Sequence, residues 1–225
     1  MISGTVRDGT AVLELDDGKV NALSIASIAE LNDNVDRALA ESGAIVILGR
    51  PGFLTAGMDL QELQRDAANR KQVRVALVTL LVRLFTLERP LVVACTGHAL
   101  GAGAALLAVA DRRVGIEGPY KIGFNEAAAG VPMSTATMEL ARYRMPMPWF
   151  ESVVTGTVFD PEGAVAAGLL DAVVRQDALM AAALDEAERM SRVDPATFAD
   201  MKLRARRDAA DRMRAGLAQL VDEDA

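Results

Sequence analysis

The sequence predicts an α/β fold with parallel strands, because two strand–loop–helix units carry glycine where the strand ends. The first unit is the apolar run 44–48 with a glycine-rich loop at 49–58. The second is the run 91–95, followed by glycines at positions 97, 101 and 103 and a helix of small residues. Uninterrupted apolar runs of this length are typical of strands buried on both faces of a sheet. In such folds the functional loops gather at one edge.

The elements around the first unit follow from apolar spacing and turn residues. Residues 12–15 form a short predicted strand, which an Asp-Asp-Gly turn at 16–18 ends. Helical spacing of apolar residues predicts a helix as far as about position 41. Ser24 or Ser27 can cap it, and Ser27 with Glu30 fits a capping box. A long core helix is predicted over 73–87 and ends before Pro90.

The second half of the chain is predicted to contain short strands and several helices. Strands are expected at 114–116, 120–122 and 171–174, and helices at 138–144, 149–155, 162–167, 178–192 and 195–214. The last helix carries the cations Lys202, Arg204, Arg206, Arg207, Arg212 and Arg214. They indicate either a solvated face or a contact with an anionic ligand or a neighbouring subunit. We divide the chain into a core, 1–175, and a C-terminal helical region, 176–225.

Composition narrows the class of protein. The chain has 225 residues, 51% of them apolar, which favours one large folded domain over disorder. Its net charge of −7 argues against a nucleic-acid partner. One cysteine fits a reducing compartment, and a single histidine, His98, argues against a metal site. We see no signal peptide and no apolar run long enough to span a membrane, so we expect a cytoplasmic protein.

The glycine-rich stretch after the second strand has three interpretations. A dinucleotide fingerprint is a weak match, because Leu106 stands where a third glycine or alanine is expected. Close packing of small residues without a ligand is the second interpretation. The third is an oxyanion hole, in which the backbone N–H of Ala102 and one from the loop at 56–58 hold a developing anion.

Glu126 is the candidate acid or base. It has only glycine, alanine and phenylalanine side chains and one asparagine around it in the sequence, and apolar surroundings raise the pKa of a carboxyl group. The alternative is an ordinary surface glutamate. We interpret His98 as a packed or turn histidine. The hydroxyl residues Ser134, Thr135 and Thr137 then have no histidine partner, which excludes a serine-hydrolase triad.

Five segments resemble the crotonase (enoyl-CoA hydratase/isomerase) superfamily in order and spacing. They are KVNAL at 19–23, FLTAGMDL at 53–60, CTGHALGAG at 95–103, ADRRV at 110–114 and FNEAAAG at 124–130. The segment at 158–169 resembles that family's downstream region, so the resemblance covers nearly the whole chain. It implies a spiral of ββα units with a helical C-terminal region, and a homotrimer or a dimer of trimers.

The resemblance also implies roles for individual residues. The backbone N–H groups of Met58 and Ala102 match the oxyanion-hole donors that hold the oxygen of an acyl-CoA thioester, and Glu126 matches a catalytic glutamate. The substrate and CoA contacts carried over in this way are Lys19, Ala22, Leu23, Ala56, Gly57, Asp59, Leu60 and Gly101. No separate cofactor is implied, since coenzyme A is part of the substrate.

Ala105 is the informative departure from the family pattern. Family hydratases carry a glutamate there and use it together with the acid at the Glu126 position to activate water. An alanine cannot hold or deprotonate water. A single acid/base is enough for Δ3,Δ2-enoyl-CoA isomerisation, which we therefore favour. Hydration, decarboxylation, thioester hydrolysis and a silent acyl-CoA-binding protein remain the alternatives.

Overall fold

A computed structural model describes residues 1–223 of the chain. The strands are β1 (Ile2–Arg7), β2 (Thr10–Leu15), β3 (Ala44–Gly49), β4 (Gly52–Thr55), β5 (Leu91–Cys95), β6 (Gly97–Leu100), β7 (Arg112–Ile116), β8 (Ile122–Gly123) and β9 (Ala172–Val174). The helices are α1 (Ile25–Glu41), α2 (Leu60–Arg65), α3 (Ala67–Phe85), α4 (Ala102–Val109), α5 (Glu126–Ala129), α6 (Thr135–Arg144), α7 (Met147–Phe150), α8 (Ser152–Thr155), α9 (Pro161–Ala166), α10 (Leu179–Ser191) and α11 (Pro195–Asp222).

The strands form two sheets that the chain visits in turn. A large sheet has the order β1-β2-β3-β5-β7-β9, and a small sheet has the order β4-β6-β8. Only β1 runs antiparallel to its neighbour in the large sheet, and the small sheet is parallel throughout. Each of three successive units places its first strand in the large sheet and its second in the small one before turning helical. This is the predicted spiral of ββα units.

The central strands β3 and β5 of the large sheet are buried on both faces. All six residues of β3 and all five of β5 are buried, as their uninterrupted apolar runs predict. Along β3, Ile45 and Ile47 pack into the core that contains α1, α3 and α4, whereas Val46 and Leu48 pack into a second cluster under α10. Helix α11 lies against α3 and α6.

Three strands lie where the sequence pattern predicts none. In β1 only Ile2 is buried, so no alternation of apolar and polar residues marks the strand. Strands β4 and β6 lie in stretches predicted as a loop and a turn. A Cβ at Gly97 would lie 2.1 Å from the carbonyl oxygen of Gly52. Strands β4 and β6 therefore start so close together that only glycine fits at position 97.

Helix boundaries also differ from prediction. The cap of α1 is Ser24, and its capping-box partner is Ser27, so the predicted pairing of Ser27 with Glu30 is wrong. Helix α3 begins six residues earlier than predicted, at Ala67, because Asp66 caps it by accepting a hydrogen bond from the backbone N–H of Asn69. The predicted helix 149–155 is divided between α7 and α8.

Two cations of α11 fit neither interpretation of its charged face. Lys202 and Arg206 are buried, and both bind the carboxylate of Asp111, at 2.7 and 2.8 Å. Arg206 also donates hydrogen bonds to the carbonyl oxygens of Phe85 and Val109, at 2.7 and 3.0 Å. These two cations therefore dock the C-terminal helix onto the ends of α3 and α4. Among residues 1–223, no helix is long and apolar enough to cross a membrane.

Candidate active site

The three strands of the small sheet end at one edge, and each is followed by a segment that reaches the same pocket. Met58 follows β4, Ala102 follows β6, and Glu126 follows β8. These three residues line one pocket. The carboxyl ends of parallel strands are where α/β folds bind ligands. The prediction that the loops after the parallel strands gather at one edge is confirmed for these segments.

Glu126 is held at the start of a four-residue helix. Its carbonyl oxygen accepts a hydrogen bond from the backbone N–H of Val131 at 2.9 Å, just after Gly130 ends α5 in the left-handed conformation. The Oε2 atom of the carboxyl group is shielded from solvent and has no hydrogen-bond partner within residues 1–223. A buried oxygen without a partner costs free energy, so its presence in a pocket points to a ligand.

Burial raises the pKa of Glu126 to about 7. The group loses solvation for its charged form, and no cation within residues 1–223 offsets this loss. The predicted upward shift is therefore confirmed. A carboxyl group with a pKa near neutrality can both take up and release a proton at physiological pH, as a general acid/base must.

Two backbone N–H groups in this pocket are unused. Leu23 pairs with Met58 by donating to the carbonyl oxygen of Gly57 at 2.8 Å and accepting from the N–H of Asp59 at 3.0 Å, which leaves the N–H of Met58 outside that pairing. Ala102 is the first residue of α4, where an N–H has no partner within the helix. Neither N–H donates a hydrogen bond to another residue of 1–223. Both are available to an anionic oxygen.

Gly101 joins the second strand to the acid. Its backbone N–H donates to the carbonyl oxygen of Gly123 at 3.0 Å, which ties the ends of β6 and β8 together. Its φ is +54° and its ψ is −110°, a conformation that side-chain-bearing residues rarely adopt. A Cβ there would lie 3.3 Å from Oδ1 of Asn125 and 3.4 Å from Oε1 of Glu126. Glycine at this position therefore leaves room for the carboxylate.

Three of the remaining predicted contacts line a second surface hollow. Lys19, Ala22 and Asp59 line it together. The carboxylate of Asp59 caps α2 by accepting from the N–H of Gln61 at 2.8 Å, and Leu60 is exposed at the first residue of that helix.

The backbone of the 56–59 segment connects this hollow to the pocket. Ala56 donates to the carbonyl oxygen of Val20 at 2.9 Å, and Gly57 and Leu23 are joined as described above. Leu23 itself is buried, so its side chain supports the two segments from within the core.

Several pocket walls carry no sequence signal. Helix α3 contributes Leu77 and Val78, which the spacing marks only as core residues. The segment 132–137 contributes Pro132, Met133, Ser134 and Thr137. Arg74, one turn before Leu77, completes the lining. Helical periodicity distinguishes buried from exposed positions, but it does not tell which buried face borders a cavity.

Ala105 is fully buried in α4 and lies in the main core. It is not part of the pocket lining that contains Glu126. His98 packs between Phe53 and Tyr120, with ring centroids 5.0 and 5.4 Å away, and its Nδ1 accepts a hydrogen bond from the N–H of Lys121. The interpretation of His98 as a packed histidine is confirmed.

The ββα spiral with its C-terminal helices defines the crotonase fold. A model of the family described as enoyl-CoA hydratase/isomerase matches residues 5–222. The chain therefore belongs to the enoyl-CoA hydratase/isomerase family, which acts on acyl-CoA thioesters.

Individual relatives agree on the family. The probable enoyl-CoA hydratase EchA17 of Mycobacterium tuberculosis is 31% identical over 211 residues, which is 88% of this chain and 77% of the relative. An enoyl-CoA hydratase/isomerase family protein from Pseudomonas syringae superposes with a TM-score of 0.95 at 37% identity, covering 97% of this chain and 95% of that one. An enoyl-CoA isomerase of M. tuberculosis superposes with a TM-score of 0.94 at 33% identity, covering 99% and 98%.

Proposed function

We propose that the protein isomerises 3-enoyl-CoA thioesters to 2-enoyl-CoA thioesters, with Glu126 as the single acid/base. The observation that supports this most directly is the unpartnered Oε2 of Glu126 in a pocket that holds no second carboxylate among residues 1–223. Isomerisation takes a proton from one carbon and returns it to another, which one carboxyl group near both carbons can do.

For each step of this reaction the pocket contains a group that can carry it out. The thioester oxygen accepts hydrogen bonds from the N–H groups of Met58 and Ala102. Glu126 removes a proton from C2, and the negative charge spreads through the dienolate onto that oxygen. The protonated Glu126 then delivers the proton to C4, and the double bond moves to C2–C3. The two N–H donors bind this charge more strongly than the neutral substrate, which lowers the barrier.

The hollow beside the pocket is our proposed site for the CoA moiety. Lys19, Ala22 and Asp59 all border it. The segment 56–59 runs between hollow and pocket, so a thioester bound at Met58 can extend its CoA portion along this segment. Lys19 is exposed, so its ammonium group is accessible to a CoA phosphate.

Hydration of 2-enoyl-CoA is the second candidate. The hydroxyl oxygens of Ser134 and Thr137 lie 2.9 Å apart and both residues line the pocket of Glu126. One of the two hydroxyl groups donates its proton to the other, so the second hydroxyl proton remains free to bind a water molecule. Several relatives are named hydratases, which adds support for this reaction.

Parallel assays of the two substrates separate these reactions. We expect the protein to convert 3-enoyl-CoA to the conjugated 2-enoyl-CoA and to leave 2-enoyl-CoA largely unhydrated. Glu126→Gln abolishes the conversion, while Glu151→Gln, a change at an exposed glutamate, leaves it unchanged. Consumption of 2-enoyl-CoA with formation of a 3-hydroxyacyl-CoA, faster than any isomerisation, would reject the isomerase proposal in favour of hydration.

A further inference from the structure

Arg74 is a cation in the wall of the pocket that the proposed reaction does not use. It lies on the face of α3 that also carries Leu77 and Val78, three and four residues later, and these two side chains are buried. All three line the pocket of Glu126. The side chain of Arg74 is only 17% exposed, so its charge is largely withdrawn from solvent.

The ion pair of Arg74 within the protein is weak. Its Nη1 lies 3.5 Å from Oε2 of Glu223, at the outer limit of a hydrogen bond, and the Glu223 side chain is 55% exposed. Within residues 1–223 the guanidinium makes no other hydrogen bond or ion pair. A guanidinium has five donors in a planar fork that matches a carboxylate, and within residues 1–223 most of this fork is unused.

Arg74 and Glu126 enter the pocket from different elements. Arg74 lies on α3 together with Leu77 and Val78, whereas Glu126 begins α5. In the proposed reaction the thioester oxygen binds at Met58 and Ala102 beside Glu126, which leaves the wall formed by α3 for the acyl chain.

We propose that Arg74 selects acyl chains that end in a carboxylate, so that the natural substrate is the CoA monothioester of a dicarboxylic acid. The proposal rests on the proposed function for the direction of the acyl chain. Leu77, Val78 and Met133 pack on the methylene groups, and the Arg74 fork takes the terminal carboxylate in two parallel hydrogen bonds. The weak ion pair between Arg74 and Glu223 is replaced by this stronger, less exposed pair.

Binding of saturated thioesters tests this without turnover. Succinyl-, adipoyl- and suberoyl-CoA are titrated calorimetrically against butyryl-, hexanoyl- and octanoyl-CoA, their matched partners without the terminal carboxylate. We expect the carboxylate-bearing member to bind about tenfold tighter for at least one length, as a charge-assisted hydrogen-bonded pair supplies. Arg74→Met removes this preference and leaves the alkyl series within about twofold, and Arg74→Lys retains part of it.

The controls keep the result interpretable. Arg83→Met changes an arginine of the same helix that reaches Asn32 and Asp36 instead of the pocket, and it leaves the preference intact. Glu126→Gln also keeps the preference, so failure of the isomerase assay and failure of this proposal are separate outcomes. Equal binding of both series at every length, or a preference that survives in Arg74→Met, would overturn the proposal.

Discussion

Gly101 faces the carboxylate of Glu126: a Cβ atom built on this glycine would lie 3.4 Å from Oε1. Gly101 follows β6 and Glu126 follows β8, so this close approach links the ends of two neighbouring strands of the small sheet. The same turn presents the N–H of Ala102. The carboxylate of Glu126 and the proposed oxyanion donor therefore both depend on one backbone conformation, with a φ of +54° at Gly101.

The Gly101→Ala variant tests this dependence. The alanine must adopt a conformation that costs about 1–3 kcal/mol and must push against Glu126 or Asn125. We expect a fall in kcat of about tenfold to a hundredfold, because small misplacements of catalytic groups are costly. Gly130→Ala is the matched control, with a φ of +68° and no atom near the added methyl group. It costs about 1 kcal/mol in stability and leaves kcat within about twofold.

In the proposed reaction the rate depends on pH through Glu126. The base form is needed to remove the C2 proton, and burial raises the pKa of this group to about 7. We therefore expect kcat/KM to rise with pH and to level off above about pH 7. Binding of a saturated acyl-CoA, which needs no proton transfer, is the reference for the same pH range. A kcat/KM that does not change across pH 7 would contradict the assignment of Glu126 as the base.

The free energy of unfolding is expected to fall with rising pH, whereas the rate is expected to rise. Between 4.5, the ordinary value for the carboxyl group, and about 7, its value in the folded protein, the native state holds a proton that the unfolded state has lost. The free energy of unfolding therefore falls as pH rises through this window. Urea titrations at pH 5 and pH 8 measure the loss. We expect Glu126→Gln to lose about 2–3 kcal/mol less than the parent protein between these pH values. Equal losses would show that folding does not raise the pKa of Glu126.

Arg206 anchors the C-terminal helix. Its replacement by methionine leaves Asp111 with less of its countercharge and the carbonyl oxygens of Phe85 and Val109 without their donor. We expect the free energy of unfolding to fall by about 3–5 kcal/mol. Arg204→Met removes an exposed pair with Asp200 on the same helix and should change stability by no more than about 0.5 kcal/mol. A similar small effect for both variants would contradict the anchoring role.

Sequence patterns predicted the parts of the fold that are governed by apolar periodicity. The buried strands β3 and β5 and the amphipathic helix α1 agree closely with their apolar spacing. Strand β1 could not be predicted in this way, because its outward-facing residues show no alternation. Strands β4 and β6 are short and glycine-rich, and tertiary packing stabilises them against their local propensity.

The candidate site was predictable where backbone geometry requires a particular residue. Glycines that precede a helix, and an acid among apolar neighbours, mark Gly101, Ala102 and Glu126 in the sequence alone. The walls of the pocket were not predictable, because Leu77 and Val78 look like any other core residues. Arg74 and Arg206 show the same limit for cations. Only the tertiary structure tells a pocket-lining or helix-anchoring arginine from a solvated one.

Hydrogen–deuterium exchange at C2 of 3-enoyl-CoA in deuterated water tests the central claim most directly. It detects removal of the C2 proton whatever step follows. The parent protein should introduce deuterium at C2 of recovered substrate and at C4 of the 2-enoyl-CoA product. Glu126→Gln should reduce both by at least about a hundredfold while still binding the thioester. Exchange at the parent rate in Glu126→Gln, or no exchange by the parent protein under saturating substrate, would contradict the account.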